Sequence, residues 1–474
     1  MKDKNLPDYT KGPILKALLG LSLPIVFANI LQTAYQLIDT FWVGRLGAVA
    51  VAAVSLSFLV IFLMISVGGG LAIAGTILVA QYKGRGDRQQ VDYVSAQTLI
   101  LMLVSALIVS VIGYFISEPV MRLIGAGPEV LPEAARYLQI SFVGMVFMFG
   151  FFVFQSLMRG VGDVKTPLYI VLTTVLLNLV LDPLFILGWG PVPAYGVAGA
   201  ALATVGTEGV AALIGLFLLF SGRYGIHLKL QNLRFDFRLF KKMFFLGLPA
   251  SLSQSSRALG LAVMAFLVAT FGTMTVASYG IGMRIFSFII IPALGISMAT
   301  STLVGQNLGA GKKERAQAIA IKSTQLAFFT LTALGVALFM AAGPLVAAFI
   351  PDDSEVIRSG AQFVRIMAFS FGFMGLQHTL YGVFTGAGET KVTMIQSILT
   401  LWVFELPLAY VLSKYTALAE VGIWWSIPVS NVLMATVALV WFMRGSWKHK
   451  EIIGPAEREL QKEVLEEVKM DEGV

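Results

Sequence analysis

The sequence predicts an all-α polytopic membrane protein, with twelve transmembrane helices in two parallel six-helix repeats around a central cleft. The chain of 474 residues is 57% hydrophobic and only 13% charged, whereas soluble domains carry roughly 25% charged residues. Long apolar runs alternate with short segments rich in Gly, Pro and charge. Short motifs of the first half also return in the second half at an almost constant offset.

Composition excludes several classes of protein. Cysteine is absent, so disulfides, thiol catalysis and thiolate metal sites are impossible. The three histidines, His227, His378 and His449, are far apart in sequence, which argues against a zinc site. The net charge of +7 does not predict a nucleic-acid partner, because Lys and Arg in a membrane protein concentrate in cytoplasmic loops. The polar segment 1–13 has no cleavage site after its first apolar run and predicts a cytoplasmic tail.

Each span follows from an apolar run that reaches the ~20 residues needed to cross a bilayer. The predicted limits, in order, are 14–42, 48–81, 93–117, 132–158, 167–189, 197–220, 239–270, 275–307, 317–341, 357–384, 392–413 and 419–443. Several spans exceed the minimum and are expected to tilt or to project into water. In the second span, Gly68-Gly69-Gly70 predicts close helix packing or flexing, and it lacks the Lys-Ser/Thr pair of a phosphate-binding loop.

Basic residues predict the orientation. With the N-terminus inside, the cytoplasmic segments carry most of the Lys and Arg, as at 2–16, 83–88, 223–242, 312–322 and 444–450. The outer loops carry little beyond Arg45, Arg122, Arg358 and Lys414. This asymmetry predicts a multi-pass protein of the plasma (cytoplasmic) membrane with both termini in the cytoplasm.

The two halves of the sequence form an internal repeat. The motif LSLPI (21–25) returns as LGLPA (246–250), and VAQYKGRGD (79–87) returns as VGQNLGAGK (304–312), each 225 residues later. RGVGDVK (159–165) returns as TGAGETK (385–391) after 226 residues. Because each half holds an even number of spans, both halves enter the membrane from the same side, as parallel repeats do.

The repeat predicts the domain boundaries. We expect an N-lobe at 14–221 with spans 1–6, and a C-lobe at 239–445 with spans 7–12. The flanking parts are a cytoplasmic tail at 1–13, a basic cytoplasmic linker at 222–238 and a cytoplasmic tail at 446–474. Within the last tail, 457–470 is acidic with a helical period, which favours a solvated amphipathic segment.

Together these motifs resemble the multidrug and toxic compound extrusion (MATE) transporters over roughly residues 14–445. The resemblance rests on these sequence motifs: QTAYQLIDTFWVGRLG in span 1, the two repeated motifs after spans 2 and 8, RGVGDVKTP before span 5, LLNLVLDPLFI in span 5 and GVAGAALAT in span 6. The resemblance implies two bundles around a V-shaped cleft. It implies export of organic cations and other amphipathic compounds, driven by entry of sodium or protons, with no cofactor.

Acids at membrane depth are costly and therefore mark candidate functional sites. Four lie well inside spans: Asp39, Asp182, Glu208 and Glu405. In the N-lobe, Asp39 follows Tyr35 by four residues, Asp182 follows Asn178, and Glu208 follows Thr204, so that each pair shares a helix face. All three pairs are expected in the outer half of the lobe, where Pro183 weakens the helix after Asp182.

Carboxylate, amide and hydroxyl oxygens suit a hard cation such as sodium, and a buried carboxylate could carry a proton instead. The resemblance assigns the coupling cation to Asp39, Asn178, Asp182 and Thr204, the four positions that match the family's N-lobe site. It places Tyr35 and Tyr137 nearby, and we add Gln155 and Glu208 as supporting polar groups. Buried structural acids and ordinary interhelical hydrogen bonds are the alternative for these residues.

The C-lobe departs from the family pattern, because Arg257 stands where some relatives have an acid. Four polar residues of this lobe are candidates for a substrate contact or an ion pair: Gln254, Arg257, His378 and Glu405. We expect Glu405 to pair with Arg257 or His378. The soft Phe and Met side chains of the cleft are expected to accept cationic or amphipathic drugs. Membrane lipids are the other expected partners, and the protein is expected to be a monomer and not an enzyme.

Two rival functions remain. A lipid-linked oligosaccharide flippase of the same superfamily needs a cleft rich in cations, for which Arg257 and Arg284 are the evident candidates. An intramembrane enzyme is more remote. A prenyltransferase requires Asp-rich motifs that are absent, and an aspartyl protease would rest on Gly160-Val161-Gly162-Asp163 alone. Since Glu389 replaces this aspartate in the second copy of the motif, we interpret Asp163 as a turn residue that caps the next helix or pairs with the nearby Lys165.

Overall fold

The computed structural model describes residues 7–351, 353–450 and 452. In the first half, the described residues form α1 (Ile14–Gly44), α2 (Ala48–Arg85), α3 (Arg88–Ile124), α4 (Leu131–Val161), α5 (Lys165–Leu187) and α6 (Val197–Ser221). In the second half, they form α7 (Phe237–Ala269), α8 (Thr273–Gly309), α9 (Lys313–Ala347), α10 (Ser354–Ala368), α11 (Phe371–Ala387), α12 (Thr390–Ile398), α13 (Leu406–Lys414) and α14 (Glu420–Arg444). A π-helical segment, Leu399–Glu405, joins α12 to α13.

Eleven helices of the described chain are long and apolar enough to cross a membrane, with Thr390–Lys414 taken as one. Their ends differ from the predicted limits by a few residues, because the helices continue beyond the apolar core into polar turns. The span predicted at 357–384 is formed by two helices, α10 and α11. The chain breaks there between α10 and α11, where Ser370 Oγ donates to Met367 O over 3.0 Å and accepts from Asn431 Nδ2 at 3.2 Å.

The repeat extends to backbone conformation. Gly47 and Gly272, which precede α2 and α8, have φ angles of 99° and 97°. Gly162 and Gly388, in the two copies of the Gly-x-Gly motif, have φ angles of 88° and 82°. L-residues other than glycine rarely adopt these angles, so the turns require glycine in both halves.

The first helix of each half packs against helices of both halves. α1 packs against α5 of its own half and α8 of the other, and its equivalent α7 packs against α12 and α2. Buried apolar residues form one cluster in the first half, a second in the second half, and a third that joins the start of α1 to α8, α9, α11 and α14. Close approach of α2 and α7 depends on Gly70, because a Cβ there would collide with the backbone of Ser251. This confirms that the Gly68–Gly70 run permits close packing.

The two halves close against each other on the face that carries Tyr9 and Ile452, here named the termini face. Gly84 of α2 lies against the carbonyl of Gln306, and Gly309 of α8 lies against the carbonyl of Gln81. The side chains of the same two glutamines complete the closure. Gln81 Nε2 donates to Gly386 O at 3.3 Å, and Gln306 Nε2 donates to Gly160 O at 2.9 Å.

The chain segment before α1 lies across this closure. The Tyr9 hydroxyl donates to Gly162 O at 3.4 Å, and Asn307 Nδ2 donates to Tyr9 O at 3.3 Å. Lys312 and Arg315 hold the backbone carbonyls of the next residues, 10–12, at 2.8–2.9 Å. On the other side, the Ile452 side chain covers Gly388, and Lys242 Nζ donates to Ile452 O. The predicted acidic segment 457–470 lies outside the described residues.

Candidate cation site and interlobe pocket

The first part of the site is a buried amide–carboxyl pair on α5. Asn178 and Asp182 are fully buried, and Asn178 Nδ2 donates to Asp182 Oδ1 over 2.7 Å. The spacing of four residues places both side chains on the face of α5 that packs against α1 and α6. The predicted pair therefore forms, and Asn178 Oδ1 is the amide atom that does not bond to Asp182.

Three oxygens at this pair have no hydrogen-bond partner in the described part of the chain: Asp39 Oδ1, Asn178 Oδ1 and Asp182 Oδ2. Asp39 comes from α1, and its charge acts on Asp182. Buried oxygens without a partner are rare and destabilising in a folded protein. A small hard cation, or a proton on a carboxylate, would satisfy these oxygens.

Helix α6 contributes two hydroxyl groups beside the acids. Thr207 is fully buried, and its hydroxyl donates to Thr204 O at 2.9 Å. Because that donor is used, the 2.7 Å bond between Tyr35 and Thr207 must be donated by the Tyr35 hydroxyl. The Thr204 side chain lies beside the same tyrosine. Sequence reasoning missed Thr207, although its position one turn after Thr204 is a weak signal for it.

The supporting residues separate into two groups. Tyr137 is buried on α4 within electrostatic range of Asp39, Tyr35, Asp182 and Glu208, so the structure brings these residues together. Gln155 lies further along α4, about 27 Å from Tyr137 at a rise of ~1.5 Å per residue. At that separation, the Gln155 side chain cannot join the cluster.

A second polar site lies between the halves. A cavity of about 130 Å³, here named the interlobe pocket, is lined mainly by residues of α7, α8, α11 and α12 and by three residues from α2 and α4. Its polar lining includes Arg159, Gln254, Arg257, Gln377, His378 and Gln396. It thus brings together three of the four C-lobe candidates and adds Arg159, which the sequence showed only as the first residue of the repeated motif RGVGDVK.

The expected ion pair of Glu405 does not form. Neither Arg257 nor His378 lies within salt-bridge distance of Glu405, although the Arg257 charge acts on Glu405 at longer range. His378 Nδ1 bonds instead to Met374 O at 3.0 Å, within its own helix. Glu405 is the last residue of the π-helical segment and is not among the residues that line the pocket.

The Gly-x-Gly-Asp segment is a helix start. Asp163 Oδ1 accepts from the backbone N–H of Thr166 at 3.1 Å, and its Oδ2 accepts from the Thr166 hydroxyl at 2.8 Å. These bonds satisfy donors of the first turn of α5, as a capping residue does. This confirms the interpretation of Asp163 as a capping residue.

The described residues contain no group of three or more His, Cys, Asp or Glu side chains that could hold a metal ion. The set Asp39, Asn178, Asp182 and Thr204 offers two carboxylates with neutral oxygens. Oxygen atoms of these types are the ligands that hard cations take in proteins.

Comparison with known proteins agrees with this architecture. The sequence model of the MatE family matches residues 24–184 and again 249–411, so its two copies begin 225 residues apart. That spacing is the offset of the sequence repeat.

Known relatives match over nearly their whole length. The protein named "Probable multidrug resistance protein YpnP" of Bacillus subtilis is 31% identical over 93% of this chain and 97% of its own. The protein named "Probable multidrug resistance protein NorM" of Thermotoga maritima is 27% identical over 94% and 96%. A solved outward-facing multidrug resistance MATE transporter of the MOP superfamily superposes with a TM-score of 0.88 at 27% identity, over 95% of this chain and all of that one. The chain therefore belongs to the MATE family and is a membrane transporter, not an enzyme.

Proposed function

We propose that this transporter exports organic cations or amphipathic drugs in exchange for sodium or protons. The relatives named for multidrug resistance support the substrate class. The observation that carries the exchange is the buried set of oxygens without partners, Asp39 Oδ1, Asn178 Oδ1 and Asp182 Oδ2. A coupling ion needs such a site, which is stable when occupied and strained when empty.

The N-lobe helices would convert ion binding into movement. A cation or proton that neutralises Asp39 and Asp182 removes the repulsion between α1 and α5. Pro183 follows Asp182 directly and removes one backbone donor from α5, so that this helix can bend at the site. Because α1 also packs against α8, a shift of α1 reaches the other half directly.

We propose that the termini face is cytoplasmic and that the structure is the outward-open state. The basic residues of segments 83–88, 223–242 and 312–322 lie toward this face, which supports the orientation. The reciprocal contacts of Gly84 and Gly309 support closure on that side. Alternating access between the lobes 14–221 and 239–445 would require these contacts to separate.

Export from proteoliposomes tests the function. Vesicles loaded with a cationic dye are given an inward sodium gradient, an inward proton gradient or no gradient. We expect dye movement to accelerate with one of the two ions, which identifies the coupling ion. Movement of a lipid-linked oligosaccharide but not of the dye would instead establish the flippase alternative.

The variant Asp182→Asn tests the ion site in the same vesicles. It keeps the size of the side chain but removes the charge, and charged contacts are worth about 1.5–3 kcal/mol. We expect ion-stimulated export to fall about tenfold or more. The matched control is Glu118→Gln, since Glu118 is an exposed acid of the same lobe whose one side-chain partner among the described residues is Arg122. Equal ion stimulation in Asp182→Asn and in the control would contradict the proposal.

A further inference from the structure

Two arginines from different halves face the interlobe pocket. Arg159 comes from the last turn of α4, and Arg257 comes from the middle of α7. Neither guanidinium makes a hydrogen bond or ion pair with another described residue. A guanidinium carries five N–H donors in a fixed fork, so both arginines keep donors that a ligand in the pocket can use.

No carboxylate compensates these charges inside the pocket. Its lining contains no Asp or Glu among the residues that the structure describes. Glu405 interacts with Arg257 only at long range, and the acids Asp39 and Asp182 belong to the separate cluster on α1 and α5. The pocket is therefore a concentration of positive charge without a counter-ion from the protein.

Neutral polar groups complete the lining. His378 Nε2 and both amide atoms of Gln396 are buried without a hydrogen-bond partner in the described chain. Gln377 is partly satisfied, since its Nε2 donates to Thr400 Oγ1 at 3.0 Å. Buried polar atoms of this kind are normally bonded, so a ligand is the natural partner for them.

We propose that the interlobe pocket binds an anionic group, a carboxylate or a phosphate, of an amphipathic compound that the transporter exports. The inference rests on the proposed export function and specifies its substrate class. Arginine forks match the geometry of both anions. A cavity of about 130 Å³ is smaller than the ~300–1,000 Å³ of a drug site, so it takes one charged end of the molecule while the remainder lies in the cleft.

Equilibrium binding to the purified full-length protein tests the proposal without requiring transport. The probes are rhodamine B, which carries a free carboxylate, and its ethyl ester, which has the same ring system without that charge. We expect the wild type to bind rhodamine B about tenfold more tightly than the ester. Arg257→Gln and Arg159→Gln should each reduce this preference to about twofold or less, and Arg257→Lys should keep part of it.

Arg284→Gln is the matched control, because Arg284 is an exposed arginine of α8 outside the pocket lining. It should keep the tenfold preference. Equal affinity of the wild type for both probes, or an unchanged preference in both glutamine variants, would overturn the proposal. If the ester is exported in exchange for ions and the protein binds both probes equally well, the anion site is wrong but the export function stands. A carboxylate preference without ion-coupled export supports the anion site and overturns the export function.

Discussion

Tyr35 and Thr207 form the hydrogen bond that ties α1 to α6 beside the buried acids. Their hydroxyl oxygens are 2.7 Å apart, and the Thr207 hydroxyl in turn donates to the backbone carbonyl of Thr204. Asp39 lies one turn beyond Tyr35 on α1, so this bond sets the position of the Asp39 carboxylate relative to α5 and α6. In the proposed mechanism, Thr207 therefore acts on the candidate cation site through Tyr35.

The variant Thr207→Val removes this bond and preserves the shape of the side chain. A neutral hydrogen bond contributes about 0.5–1.5 kcal/mol, so we expect the half-saturating ion concentration for export to rise about two- to tenfold. The measurement is dye export against ion concentration. Thr173→Val is the control, because Thr173 is exposed on α5 and bonds only to Tyr169 O. An equal shift in both variants would contradict the assigned role of Thr207.

Some contacts between residues can be predicted from the sequence, and others cannot. The pair of Asn178 and Asp182 could be predicted because helical spacing alone brings them together. The partner of Tyr35 could not, because it lies 172 residues away in sequence and depends on how α1 packs against α6. Whether Glu405 pairs with Arg257 could not be predicted either, because the two residues lie on different helical segments and their separation depends on tertiary packing.

At the scale of elements, the spans could be predicted because hydrophobic length is a property of the local sequence. The break between α10 and α11 could not, since 357–384 contains no proline and is apolar. The break is stabilised by Asn431 of α14, which bonds to Ser370 from 61 residues away. Sequence alone gives no sign of that contact.

The segment before α1 is held by a tyrosine that must stay neutral. Burial and the nearby charge of Asp163 raise the pKa of Tyr9 above its usual value near 10. Because the pKa of Tyr9 is higher in the docked segment than in a free one, neutral Tyr9 favours docking fully below about pH 10. The contribution of Tyr9 is lost as the pH rises through the raised pKa. The hydroxyl also donates to Gly162 O, and a phenolate could not make that bond.

A spin label at Lys11→Cys, an exposed position in a chain without cysteine, measures the docking of this segment. With Tyr9 present, we expect the mobile fraction of the label to increase as pH rises above about 10. Tyr9→Phe keeps the ring and cannot ionise, so its label should be less sensitive to pH in that range. The comparison isolates the effect of Tyr9, because the contacts of Lys312 with this segment are common to both proteins. Identical pH profiles would contradict the role of Tyr9.

At the scale of the whole molecule, the two halves share a backbone plan but not their charges. At the repeat offsets of 225 and 226, the positions equivalent to Asp39, Asn178 and Asp182 are Met264, Phe404 and Leu408. The position equivalent to Arg257 is Gln32. The duplicated fold therefore keeps buried acids in one half and places arginines at the pocket between the halves, and in the proposed mechanism ion and substrate bind at these separate places.

Closure of the termini face depends on two glycines at equivalent positions, and Gly309→Ala should weaken it. A Cβ at Gly309 would collide with the backbone of Gln81, and overpacking of this kind costs about 1–3 kcal/mol. We therefore expect the equilibrium to shift about tenfold toward a state that is open at this face. Spin labels at Gln89→Cys and Glu314→Cys, exposed on the two halves, report the opening as a population at longer distance. Gly280→Ala in the same helix has open space around its Cβ and should leave the distances unchanged, whereas unchanged distances in Gly309→Ala would show that close glycine contact does not control closure.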